Sequence, residues 1–229
     1  MDSVNYRGIN IPLVQMGAIS SDDLFEPREQ ELFDLYERLR GRYGRVLDVG
    51  ANVGIHTIIM ARLGWYVTAF EPDPWHYEIL LDNVQRNHAA KHVSAVRCAL
   101  STEDGFAEFV RVIGNTTASH LAGAREFHGP IERIRVRKEN CYTYFLSAHF
   151  AKIDVEGHEA DLLCAVQPQH RCEFLVEIGT AENARRIYDH FRAMERPMWT
   201  QTGGWAAVAE LKDVPTHYTH GALFIGAQP

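Results

Sequence analysis

With 229 residues, the chain has the length of one domain with at most a small appendage. Hydrophobic residues make up 46% and charged residues 23%, which excludes a disordered or collagen-like chain. The formal net charge of -7 argues against a nucleic-acid partner, because affinity for a polyanion comes largely from cationic contacts to phosphate.

No apolar run approaches the roughly 18 residues that would span a bilayer, so no membrane partner is expected. The opening MDSVNYRGIN lacks the basic start and apolar stretch of a secretory signal. Cys98, Cys141, Cys164 and Cys172 form no C-x-x-C pair. They are expected as buried thiols of a reduced, cytoplasmic chain rather than as metal ligands.

In chain order, Val4 to Tyr6 and Ile9 to Leu13 read as short strands around Gly8. A helix is predicted from about Pro27 to Arg40, where Leu32, Leu35, Tyr36 and Leu39 recur at helical spacing before Gly41. From Arg45 the pattern becomes regular. Arg45 to Val49 is an apolar strand, followed by a helix through Val53, Ile58 and Leu63 with Asn52 as its expected N-cap. Tyr66 to Phe70 is the next strand, Trp75 to about Asn87 a helix, and Val93 to Leu100 a third strand. This alternation indicates a parallel sheet with helices on both faces.

Between about 105 and 139 the rhythm breaks. Phe106 to Ile113 and Ile131 to Lys138 alternate like antiparallel strands around a loop from Gly114 to Gly129. The α/β pattern resumes with a strand from Phe150 to Val155 and a helix from His158 to Val166. A strand from Glu173 to Ile178 and a long helix capped at Thr180 follow. Trp205 to Ala209 and Gly221 to Ile225 complete the chain as strands. Residues 1–44 are expected to pack over the ligand site, and residues 45–229 to form the main domain with the insertion.

The most informative stretch is Val46-Leu47-Asp48-Val49-Gly50-Ala51-Asn52-Val53-Gly54. A glycine-rich turn between the first sheet strand and its helix lets a ligand approach the backbone. Glu71 ends the second sheet strand 21 positions after Gly50, where a carboxylate can accept both ribose hydroxyls of a nucleotide-like ligand. A pyrophosphate loop wants a glycine where Asn52 stands, and no Gly-Lys-Ser/Thr follows as in a P-loop. S-adenosylmethionine has the nucleoside without the phosphates, and Asp48 can sit near its ammonium. The pattern therefore favours adenosylmethionine over NAD.

With Phe70-Glu71-Pro72 and Lys152-Ile153-Asp154-Val155-Glu156-Gly157-His158-Glu159, this stretch resembles the FkbM family of class I, adenosylmethionine-dependent methyltransferases. The likeness covers about residues 26 to 180 and includes Phe25-Glu26, Asn83, Asn87 and Val176-Glu177-Ile178. It implies an α/β, Rossmann-like fold whose seven-stranded, mostly parallel sheet ends in an antiparallel strand. It also implies mainly O-methylation of sugars, polyketides, lipids and related metabolites, and adenine near Ala99, Leu100 and Ser101. His158 departs from the residues common at its position.

Asp154, Glu156 and His158 stand at the carboxyl edge of the fourth sheet strand, where residues two apart share a face. A hydroxyl is a poor nucleophile until its proton is taken. His158 or Asp154 is therefore expected as general base, with Glu156 positioning the acceptor. The same three side chains have the types to hold a divalent Mg or Mn ion, a reading that is not favoured because the spacing is short. Glu26, His56 and Thr57 are secondary candidates, the first two for the methionine end of the cofactor.

Arg133, Arg135 and Arg137 share a strand face, read either as solvated or as a grip for an anionic acceptor group. His120 and His128 lie in the insertion loop and can close over a substrate. Trp199 and Trp205 either line an acceptor pocket or pack the final strands, and His217 and His220 are not expected as ligands. The leading expectation is an O-methyltransferase of a small-molecule hydroxyl. N-methylation and a non-catalytic or NAD-type Rossmann protein are the alternatives, and a homodimer is left open.

Overall fold

Two short strands, β1 (Ser3–Tyr6) and β2 (Ile9–Pro12), open the chain as an antiparallel hairpin in this computed structural model, which describes residues 3–124 and 129–229. Helix α1 (Pro27–Arg38) follows with Pro27 in its first turn and Leu32, Phe33, Leu35 and Tyr36 buried. Three strands alternating with two helices then build the centre of the domain: β3 (Arg45–Val49), α2 (Ile55–Arg62), β4 (Tyr66–Phe70), α3 (Pro74–Arg86) and β5 (Val93–Val96). An insertion carries β6 (Ala99–Ser101), β7 (Gly105–Val112), β8 (His120–Leu121) and β9 (Ile131–Asn140). The remainder comprises α4 (Tyr142–Ser147), β10 (Phe150–Ile153), α5 (Glu159–Leu163), β11 (Glu173–Glu177), α6 (Ala181–Ala193), β12 (Met198–Thr200), β13 (Ala206–Ala207) and β14 (Ala222–Ile225).

Among the described residues the large sheet runs β13-β12-β14-β11-β10-β3-β4-β5. Strands β11, β10, β3, β4 and β5 are parallel, and β14 lies antiparallel between β11 and β12. The two-residue β13 adds an eighth strand to the seven expected. Alternate residues face opposite layers. Val46, Phe150, Leu175 and Phe224 pack with Tyr36, Trp65 and the hairpin residues Ile9 and Ile11. On the other face Leu47, Ala151, Phe174 and Leu223 pack with Phe145, Leu162, Ile187 and Phe191. Thr180 caps α6 as expected, its hydroxyl accepting from the Asn183 amide at 3.1 Å. Among the described residues no helix is long and apolar enough to cross a membrane.

Three local expectations are corrected. The strand expected from Val93 to Leu100 is two strands: Cys98 N donates to Val96 O at 3.0 Å, and the kink sends β6 out of the large sheet to pair with β9. With β7 and β8 these form a second sheet, ordered β6-β9-β7-β8. Asn52 does not cap α2. It sits in the left-handed region at φ 51°, and Gly54 is the N-cap, because the loop needs two more residues to turn. The expected helix from His158 to Val166 is the shorter α5, and β12 and α4 had no expected counterpart.

Candidate active site

The site forms where the chain order reverses. From β3 the chain moves outward to β4 and β5, and from β10 it moves the other way to β11. Open α/β sheets bind ligands in the crevice at such a point, outside the carboxyl ends of the strands. Gly50 follows β3 with φ 80°, and a Cβ there would lie 1.8 Å from the Asp154 carbonyl oxygen. Only glycine lets the two strand-end loops touch. The amides of Gly50 and Ala51 donate to Phe70 O at 3.0 and 2.9 Å, and Asp154 N donates to Val49 O at 3.0 Å. These bonds tie the loop to the ends of β3, β4 and β10.

A cleft opens there, lined by residues from both strand-end loops. It brings together Gly50, Asn52, Glu71 and Pro72 on one side and Asp154, Glu156 and His158 on another. Cys98, Ala99 and Leu100 line it at the kink after β5. Glu71 is only 5% exposed. Its Oε2 accepts from Asn52 N and its Oε1 from Asp73 N, both at 2.8 Å. Burial nevertheless pushes its pKa up to about 8, against those two bonds.

Five further sequence candidates do not line the cleft. Asp48 is fully buried behind the loop, its Oδ2 accepting from the Thr57 hydroxyl at 2.5 Å. Gly54 packs on Leu80, where a Cβ would come within 3.0 Å of its Cγ. His56 bridges α1 and α2, with Nδ1 2.9 Å from the Tyr36 hydroxyl and Nε2 2.9 Å from Glu29 Oε2. Glu26 is the exposed N-cap of α1.

At the end of β10 the extended geometry stops, so Asp154, Glu156 and His158 do not share a face by strand alternation. Glu156 and Gly157 turn through left-handed conformations, φ 54° and 110°, and this turn carries all three side chains to the cleft. Glu159 secures it: Oε1 accepts from Gly157 N at 2.7 Å and Oε2 from Asn183 Nδ2 at 2.8 Å. Asp154 Oδ2 lies 3.0 Å from the buried Lys152 ammonium. His158 Nε2 stands 3.5 Å from Asp161 Oδ2, its buried Nδ1 has no hydrogen-bond partner among the described residues, and burial lowers its pKa, so the ring is neutral near pH 7. Among the described residues no group of three His, Cys, Asp or Glu side chains is placed to hold a metal ion.

The insertion, together with His76 of α3, supplies a wall that the sequence did not reveal. His76, Phe109, Thr116, Thr117, Ser119 and Leu121 line the cleft. His76 Nε2 is 2.9 Å from Thr116 Oγ1, and burial lowers the pKa of His76 to about 4. Arg111 donates to both oxygens of the buried Asp73 at 2.6 and 2.7 Å, joining β7 to the N-cap of α3. Thr116 N donates to Met16 O at 3.0 Å, which adds the N-terminal segment to this wall.

The arginine face of β9 is engaged locally. Arg133 pairs with Glu108, Arg137 lies 2.7 Å from Glu139, and Arg135 sits over the Phe106 ring at 4.1 Å. His120 is buried in β8, and His128 lies outside the described residues. Trp199 and Trp205 pack the final strands: Trp199 Nε1 donates to Gly226 O at 3.0 Å, and Trp205 stands edge-on to Phe224.

Residues 48–196 match the family described as the methyltransferase FkbM domain. The methyltransferase sdnD of Sordaria araneosa is 35% identical over 158 residues, 55% of this chain and 61% of that protein. The chain thus spans less than two thirds of that relative. Among solved structures, the methyltransferase FkbM of Methylobacillus flagellatus KT gives a TM-score of 0.49 at 12% identity, over 80% of this chain and 43% of that one. The METTL16 methyltransferase domain gives 0.54 at 14% identity, over 96% and 74%. This last likeness shows the Rossmann-like fold.

Proposed function

The chain belongs to the FkbM methyltransferase domain family, and on that premise we propose that it moves a methyl group from S-adenosylmethionine to a hydroxyl of a small molecule, sugar or natural product. The observation that carries this reading is the single cleft shared by Glu71, the small residues after β5 and the Asp154–His158 turn. Its described lining includes Glu71, Asp154 and Glu156 and no lysine or arginine. Such a lining suits a cationic sulfonium without phosphates and disfavours a dinucleotide pyrophosphate.

Glu71 would accept the ribose hydroxyls, Gly50 and Asn52 would let the nucleoside approach the backbone, and Pro72, Ala99 and Leu100 would flank it. Asp48, Gly54 and Thr57 shape the loop from behind, and Glu26 and His56 belong to the α1 side that shores it. On this reading residues 1–44 cover the site and 45–229 carry it. When bound, the cofactor supplies an electrophilic methyl group already attached to a good leaving group. Asp154 is a third exposed in the cleft and takes the acceptor's proton. His158, neutral by burial, is the second group able to accept it, and Glu156 orients the acceptor. Holding the acceptor in line supplies further acceleration. A positioned base favours a hydroxyl over an amine, which already carries a free lone pair.

The test is methyl transfer from labelled adenosylmethionine to a panel of sugars and hydroxylated metabolites. Asp154→Asn is expected to lower kcat by about 10²- to 10⁴-fold, with adenosylhomocysteine binding retained. Wild-type turnover in both Asp154→Asn and His158→Ala would refute the assignment.

A further inference from the structure

Beneath the carboxyl edge of the sheet lies a charged group that the proposed chemistry has not used. Lys152 is in the middle of the sheet, on β10, with its side chain 5% exposed. Its register partner on β3 is Asp48, and Glu177 ends the neighbouring β11. A buried ammonium is stable only when its surroundings compensate it. Burial alone would lower the Lys152 pKa, but Asp154, Asp48 and Glu177 reverse that and hold it well above the ordinary value. The lysine is therefore a fixed positive charge.

Its contact with Asp154 is directional. Asp154 directly follows the end of β10, and the ammonium meets its Oδ2 at 3.0 Å. Asp154 itself lies at the mouth, lining the cleft. One end of its carboxylate is thus anchored from within the protein, while the side chain reaches the space an acceptor would fill. We propose that Lys152 is a positioning residue for the methyl transfer: its ammonium fixes Oδ2 of Asp154 and so presents the other oxygen, Oδ1, to the acceptor hydroxyl. This rests on Asp154 being the base.

A reacting group displaced by about 1 Å loses on the order of 10²-fold in rate. Lys152→Met is therefore expected to lower kcat by about 10- to 100-fold, with KM for adenosylmethionine within about threefold. The discriminating experiment is a double-mutant cycle on kcat with Lys152→Met, Asp154→Asn and both together, calorimetric binding of adenosylhomocysteine reporting the fold. If Lys152 acts through Asp154, the double variant matches Asp154→Asn within about threefold. Losses that multiply would overturn the positioning role and leave Asp154 as base. Wild-type kcat in Asp154→Asn would remove the base assignment and this proposal with it. Should Lys152→Met not fold, the ¹⁵N ammonium resonance of Lys152 gives the answer. It is expected to shift on Asp154→Asn, and an unchanged resonance would overturn the contact.

Discussion

Glu71 is expected to make nucleoside binding depend on pH. Its carboxyl group is buried, accepts from Asn52 N and Asp73 N at 2.8 Å, and has a pKa raised by burial to about 8. At pH 7 roughly nine in ten molecules therefore carry the protonated form. Ribose hydroxyls donate to a carboxylate, so binding selects the ionised form. Affinity should fall about tenfold per pH unit below about 8 and level off above it. The probe is 5′-methylthioadenosine, which has the nucleoside but no amino acid to titrate in this range. Calorimetry between pH 6 and 9, in buffers of different ionisation enthalpy, should show close to one proton released per molecule bound at pH 7. Glu71→Gln should abolish the pH dependence and weaken the high-pH affinity by about one to two orders of magnitude, the equivalent of one charge-assisted hydrogen bond. Wild-type affinity that stays flat from pH 6 to 9, with no buffer dependence, would refute the reasoning. The same group bears on stability. Its folded pKa lies above the unfolded value, so the folded state binds the proton more tightly and stability declines as pH rises from about 4.5 to about 8.

Gly50→Ala should prevent folding or remove more than about 4 kcal/mol in denaturant unfolding, since its Cβ would meet the Asp154 carbonyl. Gly64→Ala, at φ 90° with nothing nearby, should cost only about 1 kcal/mol. His76 has a folded pKa of about 4, below its unfolded value, so stability should fall as pH drops from about 6.5 towards 4. His76→Gln should flatten that decline, worth up to about 3 kcal/mol in pH-dependent unfolding. Arg111→Met leaves the buried Asp73 carboxylate without its two-pronged partner. Thermal unfolding should register a loss of about 3 kcal/mol.

What the sequence made legible is local. The boundaries of β3 and β4 follow from short apolar runs closed by Gly50 and Glu71, and the pairing of a glycine-rich turn with a distant carboxylate pointed to one end of the sheet. The chain around Cys98 was not legible, because Val93 to Leu100 reads as one strand-like run broken only by Ser94 and Arg97, and the kink itself leaves no Gly or Pro to mark it. Asn52 is a good N-cap by type, yet the loop uses it in a left-handed turn. His76 and Thr116 meet only through tertiary packing of α3 against the insertion, 40 residues apart, and neither carries a local signal. Lys152 was read as part of a motif; that its ammonium sits beside Asp154 follows from sheet register and burial.

The most direct measurement is a side-by-side titration of the purified protein with S-adenosylhomocysteine and NAD. The account predicts saturable one-to-one binding of the first and none of the second. Binding of NAD with no affinity for adenosylhomocysteine would contradict it.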